Sequence, residues 1–124
     1  VRLLLAEDNA LNRDMLARRL RRRGHEVIEA ADGVQALECL RACPPPDAVL
    51  LDLDMPRLDG WGVLRELRDT GMSLPVLVLS AHSLKENRQR AAELGVAAYL
   101  SKPLDFDDLL QRLALASSHP HPSA

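Results

Sequence analysis

Short apolar runs recur along the chain, and each gives way to a stretch whose apolar residues return every three or four positions. The run the rest is organised around is Val49-Leu50-Leu51-Asp52-Leu53-Asp54-Met55-Pro56. A run of this length bounded by turn signals predicts a strand buried on both faces, as in a parallel sheet covered by helices. An acid at its end needs a reason, because a buried carboxylate without a partner costs several kcal/mol or keeps its proton. Asp52 is therefore expected where the strand opens into a cleft, which in open α/β sheets is where ligands bind.

The remaining elements follow in order. Arg2 to Ala6 is a strand that runs into Glu7-Asp8-Asn9, with Asn9 as an N-cap type, and Leu11 to Arg23 is a helix with Leu11, Met15, Leu16 and Leu20 on one stripe. Its arginines cluster toward the last turn, offset the helix dipole and read as a solvated face. Gly24 ends it. Val27 to Ala30 is an edge strand, and Asp32-Gly33 opens a helix carrying Val34, Leu37 and Leu40 inward, which Pro44-Pro45-Pro46 ends. Asp59-Gly60 starts a helix with Val63, Leu64 and Leu67 inside, Trp61 at the rim and Gly71 at the close. Val76 to Leu79 is a strand ending in Ser80-Ala81-His82-Ser83. Leu84 to Leu94 is a helix rich in charge with Ala91, Ala92 and Leu94 inward; Gly95 caps it, and it is the least anchored. Val96 to Leu100 is the last strand, followed by Ser101-Lys102-Pro103. Asp105 to Ala116 closes the domain on Phe106, Leu109, Leu110 and Leu113. One domain over 1–116 and a disordered tail over 117–124 are expected.

Strands alternating with helices predict a doubly wound α/β fold, a five-stranded parallel sheet in a three-layer sandwich. Parallel strands bring their carboxyl ends to one edge, so Glu7 and Asp8, Asp52 with Asp54, Ser80 and Lys102 converge there. Taken singly, each residue has a plain explanation as a cap or a solvated charge. Their common place on four strands does not. Crowded carboxylates repel, and a hard divalent cation relieves the repulsion; Mg2+ would take one or two carboxylates, a carbonyl and waters. Lys102 and Ser80 add a positive charge and a hydroxyl, which an anionic ligand requires and a bare metal site does not.

Composition narrows the function. With Lys+Arg 16 against Asp+Glu 18, the net charge of -2 recruits neither nucleic acid nor an anionic membrane, and one Trp, one Tyr and one Phe make no base-stacking platform. Cys39 and Cys43 have neither redox nor zinc spacing. No stretch approaches the length of a membrane span, so a cytoplasmic setting is expected. His119 and His121 in the tail form a poor metal site. A chain opening on Val1 rather than Met is expected to be a piece of something longer.

Glu7-Asp8, Asp52-x-x-Met55-Pro56 with Asp59-Gly60, Ser80-Ala81 and Tyr99-x-x-Lys102-Pro103 together resemble the receiver domain of bacterial response regulators, the CheY-like phosphoacceptor module. The match runs from Leu3 to Leu113, and the strand order 2-1-3-4-5 is carried over from it. The resemblance implies that Asp52 accepts a phosphoryl group from a phosphohistidine of a histidine kinase or histidine phosphotransfer protein. It implies Mg2+ held by Asp8, Asp52 and the Asp54 backbone carbonyl, with Glu7 acting through water. Lys102 pairs with Asp52, and the Lys102-Pro103 peptide is cis. Ser80 and Tyr99 form the switch, controlling an attached or separate output domain, with a phosphorylation-dependent homodimer as a further partner. Glu7-Asp8-Asn9 with Asn12 looks most like receivers of hybrid histidine kinases.

Asp54 and His82 are placed beside the line along which water would attack an acyl phosphate and are candidate modulators of its lifetime, His82 through its charge near neutrality, with a solvated loop histidine of no kinetic role as the alternative. The alternatives are a pseudo-receiver that is never phosphorylated, a flavin-binding electron carrier and a metal-dependent phosphatase. The first usually lacks an acid or the lysine, the second needs aromatic stackers, and the third needs a substrate-recognition insertion.

Overall fold

The computed structural model describes residues 1–41, 45–55, 59–72, 74–81 and 85–118; Cys43, Pro44, Pro56, His82, Ser83, Leu84, His119 and His121 lie outside them. The elements are β1 (Arg2–Ala6), α1 (Ala10–Arg22), β2 (Glu26–Ala30), α2 (Gly33–Arg41), β3 (Ala48–Asp52), α3 (Gly60–Asp69), β4 (Val76–Ser80), α4 (Lys85–Glu93), β5 (Ala98–Ser101) and α5 (Phe106–Ser118). The strands form one parallel sheet in the order β2-β1-β3-β4-β5, as the resemblance implied.

The period of two along each strand divides the core. Leu3, Leu5, Leu50, Leu77 and Leu79 pack with Ala17 and Leu20 of α1 and with Leu109 and Leu113 of α5. Leu4, Val49, Leu51 and Val78 pack on the other face with Leu40 of α2 and with Val63, Leu64 and Leu67 of α3. Both faces of β3 are thereby covered, which is why it is a continuous apolar run; each fully buried leucine stabilises the fold by roughly 2 kcal/mol. Among the described residues, no helix is long and apolar enough to cross a membrane.

Local signals set the ends. Asn9 accepts from the Asn12 N–H and Asp59 from the Gly62 N–H, capping α1 and α3. Gly24 takes a φ of 87°, and the His25 and Gly24 N–H groups return to the Leu20 and Arg21 carbonyls. Gly71 and Gly95 also take positive φ after α3 and α4.

Three expectations change. Leu11 and Met15 are 68% and 54% exposed, so the inward face of α1 is Ala17 and Leu20 with Leu16 and Arg13 half-buried. Two arginines placed outside the stripe turn the helix. Arg13 donates to the Glu7 carbonyl and lies 3.6 Å from Glu29, while Arg21 donates to the Val27 carbonyl and to Glu29. In α4, Ala92 faces solvent and Ala91 is buried. Helix α5 runs to Ser118, two residues past its expected end.

Gly60 fixes how α3 meets β3. Its N–H donates to the Leu53 carbonyl, and a Cβ there would lie 2.7 Å from both the Asp52 carbonyl oxygen and the Leu53 Cα. Backbone cannot yield as a side-chain tip does. Gly60→Ala is expected to destabilise the domain by about 1–3 kcal/mol in urea unfolding; an unchanged midpoint would contradict this close approach.

Candidate functional site

The carboxyl edge of the sheet gathers the expected side chains. Asp52, the last residue of β3, is 1% exposed, and Glu7, just beyond β1, is 5% exposed. Asp8 beside it is exposed. Carboxylate oxygens of Glu7, Asp8 and Asp52 lie within 4.8 Å of one another. The Lys102 ammonium, which follows β5, stands 2.8 Å from Asp52 Oδ2 and 3.8 Å from Glu7 Oε1. The Lys102-Pro103 peptide is cis, as the resemblance implied.

Asp54 occupies a different place. Strand β3 ends at Asp52, so the two acids are separated by the turn that follows rather than by strand alternation. The Asp54 N–H donates to Asp52 Oδ1 at 2.9 Å while its own side chain is exposed. Ser80, at the end of β4, is buried, and its carbonyl accepts from the Lys102 N–H. Tyr99, within β5, is half-buried against the α2 and α3 side of the core. His82 is outside the described residues.

These contacts perturb the acids in opposite directions. Burial pushes the Glu7 carboxyl up to about 7, helped by its hydrogen bond to Asp52 and that residue's negative charge. Burial acts on Asp52 in the same sense, but the hydrogen bonds from Glu7, Lys102 and the Asp54 N–H outweigh it and hold Asp52 below the ordinary carboxylate range. Lys102 is held above its ordinary value: burial disfavours its charge, and Asp52 foremost overcomes that. The two acids are thus pushed apart, Glu7 toward keeping its proton and Asp52 toward losing it, with the Lys102 ammonium beside them.

Glu7 Oε2 is buried and meets no protein donor. Such an oxygen is satisfied by a proton shared with Asp52 or by a cation. Three carboxylates with one orphaned oxygen and no soft ligand fit a hard, oxygen-preferring divalent ion.

Sequence reasoning missed Arg13, whose guanidinium holds the Glu7 carbonyl at 2.9 Å and so helps place the acid. No pattern distinguishes it from the other arginines of α1. It also missed a groove of about 620 Å³ that reaches from Glu7 and Lys102 past Met15, Leu16, Pro103 and Leu104. The exposed Met15 belongs to its wall, so the misread face of α1 and the missed groove have one cause.

The family model described as response regulator receiver domain matches residues 3–114. The response regulator MprA of Mycobacterium ulcerans (strain Agy99) is 44% identical over 113 residues, covering 91% of this chain and 48% of that protein. MprA of Mycobacterium tuberculosis (strain ATCC 25177 / H37Ra) is 43% identical over 113 residues, covering 91% and 49%. The chain spans about half the length of these curated relatives. Among solved structures, the non-phosphorylated HemR receiver domain from Leptospira biflexa matches with a TM-score of 0.88 at 30% identity, covering 98% of this chain and 97% of that one. The BeF3-activated N-terminal receiver domain of Klebsiella pneumoniae RstA matches with a TM-score of 0.88 at 28% identity, covering 96% and 100%.

Proposed function

The chain belongs to the response regulator receiver domains, and on that footing we propose that it takes a phosphoryl group from a phosphohistidine of a histidine kinase or histidine phosphotransfer protein onto Asp52. The observation that carries the reading is the convergence of Glu7, Asp8 and Asp52 within 4.8 Å beside the Lys102 ammonium. A signalling domain of this kind supplies the acceptor and the charge environment, and its partner supplies the donor.

A carboxylate oxygen of Asp52 forms the new bond to phosphorus as the phosphorus–nitrogen bond of the donor breaks, and the imidazole keeps the electron pair. Such transfers are governed by positioning and by neutralisation of charge on the phosphoryl oxygens. Asp8, Asp52 and the Asp54 carbonyl would hold Mg2+, with Glu7 acting through water. The ion would supply positive charge to the acids and to the incoming phosphoryl oxygens. The Asp54 N–H, already on Oδ1, keeps the acceptor carboxylate from rotating. Lys102, now on Oδ2, is within reach of a phosphoryl oxygen once the anionic charge has moved there.

The Ser80 hydroxyl would donate to a second phosphoryl oxygen and draw its loop inward, and Tyr99 would turn into the space left behind. The groove along Met15 and Leu16 opens beside Lys102 and gives a protein donor apolar surface to rest on. The controlled element is an output domain, attached or separate, and a homodimer formed on phosphorylation is a further outcome of the switch.

Incubation with acetyl phosphate and Mg2+, read by intact mass, should add one phosphoryl group, and excess chelator should prevent it. An unchanged mass with Mg2+ present would overturn the reading and favour an interaction module that is never phosphorylated.

A further inference from the structure

Among the described residues of α4, Ala91 is the one that is buried, so apolar packing alone holds this helix weakly. Two arginines supplement it. The Arg90 guanidinium lies 4.3 Å from the centroid of the Trp61 ring in α3. The Arg88 guanidinium lies 4.9 Å from the centroid of the Tyr99 ring, and the same group donates to Ser101 Oγ at 2.8 Å. One planar guanidinium thus stacks on one residue of β5 and hydrogen-bonds another, a combination a lysine ammonium is poorly shaped to make.

Ser101 connects this contact to the phosphoacceptor edge. It is the register partner of Ser80 on the neighbouring strand, and the next residue, Lys102, donates its N–H to the Ser80 carbonyl. Arg88 therefore touches the aromatic ring of the proposed switch and the residue in backbone register with Ser80.

We propose that Arg88 is the positioning residue that holds Tyr99 and the end of β5 in their resting arrangement, so that rotation of Tyr99 gives up the ring contact and weakens the hold on α4. This rests on the reading of Asp52 as phosphoacceptor and of Ser80 and Tyr99 as the switch. Arg88 belongs to neither the acid cluster nor the phosphoryl-binding groups, and its guanidinium opposes the rotated state. Its removal shifts the resting equilibrium toward the phosphorylated arrangement without phosphate, because a contact made in one state only biases the balance between the two. Arg90, whose ring contact is to Trp61, holds α4 without gripping Tyr99.

The chain has a single tyrosine, so fluorotyrosine incorporation reports on Tyr99 alone. The 19F spectrum of the wild type, free and after labelling with acetyl phosphate and Mg2+, defines the two ring environments. Saturation transfer then gives the population of the second environment in unlabelled protein. Arg88→Ala is expected to raise that population about two- to fivefold, the weight of an exposed cation–π contact. Arg90→Ala should leave it unchanged. A wild type that accepts the label and shifts its resonance, with the same resting population in Arg88→Ala, overturns the role of Arg88 and leaves Asp52 intact. A labelled wild type whose resonance does not move overturns the Tyr99 switch and Arg88's role together. Failure of the wild type to accept label removes the phosphoacceptor reading itself.

Discussion

Glu7→Gln should make the cation-free protein more stable at pH 8 by on the order of 3 kcal/mol, while giving no advantage below pH 4.5. The ordinary carboxyl value of 4.5 is raised in the folded protein to about 7, chiefly by burial and then by Asp52. Between those values the unfolded chain has lost the Glu7 proton and the folded one keeps it. The stability this proton contributes is therefore complete below pH 4.5, falls as pH rises, and is gone above about 7. Glutamine is neutral in both states, and its amide can still donate to Asp52, so the variant keeps what the wild type loses. Asp52 behaves in the opposite sense. Its depressed value contributes stability that is present above its unfolded pKa and lost as pH falls through the folded one, in wild type and variant alike.

Urea unfolding in chelator across pH 4.5 to 8 measures the difference, and equal midpoints at pH 8 would contradict the buried, proton-holding Glu7. Excess Mg2+ should narrow or reverse the order, because an ion bound by the folded state alone stabilises the wild type more than a variant lacking one anionic oxygen.

Much of this site was legible because an acid ending a strand buried on both faces requires explanation. Asp52 stood out for that reason, and Glu7, Asp8, Ser80 and Lys102 followed once parallel strands were seen to bring their ends together. What was not legible depended on contacts through space. The stripe of Leu11, Met15, Leu16 and Leu20 satisfied helical periodicity, yet Leu11 and Met15 face outward because Arg13 and Arg21 bind β2 and the Glu7 carbonyl. Periodicity locates an apolar face; tertiary ion pairs can still rotate the helix. Ala91 and Ala92 were indistinguishable for a similar reason, both being small and one position apart.

The place of Asp54 was not legible either, since β3 stops at Asp52 and the following turn aims the Asp54 N–H at its carboxylate. Gly60 announced a helix start in the sequence, but not that its missing Cβ makes room for the backbone of Asp52 and Leu53. Arg88 carried no signal at all. Its significance depends on Tyr99 and Ser101, which lie 11 and 13 residues away and meet it only when β5 returns beside α4.

Asp52→Asn should abolish labelling outright. Of the two buried acids in the cluster, Asp52 is the one hydrogen-bonded by Lys102 and by the Asp54 N–H, which favour its ionised form. An ionised carboxylate held in place is a competent nucleophile, whereas an amide oxygen in the same position cannot form a stable acyl phosphate. Asp54 is exposed, and its contribution to the acceptor is a backbone N–H that Asp54→Asn retains. Labelling each variant with acetyl phosphate and Mg2+, with intact mass and peptide mapping of the adduct, separates the two acids. One phosphoryl group is expected on Asp52 in the wild type and in Asp54→Asn, and none in Asp52→Asn; a phosphoryl group retained by Asp52→Asn, or lost from Asp54→Asn, would contradict Asp52 as the acceptor.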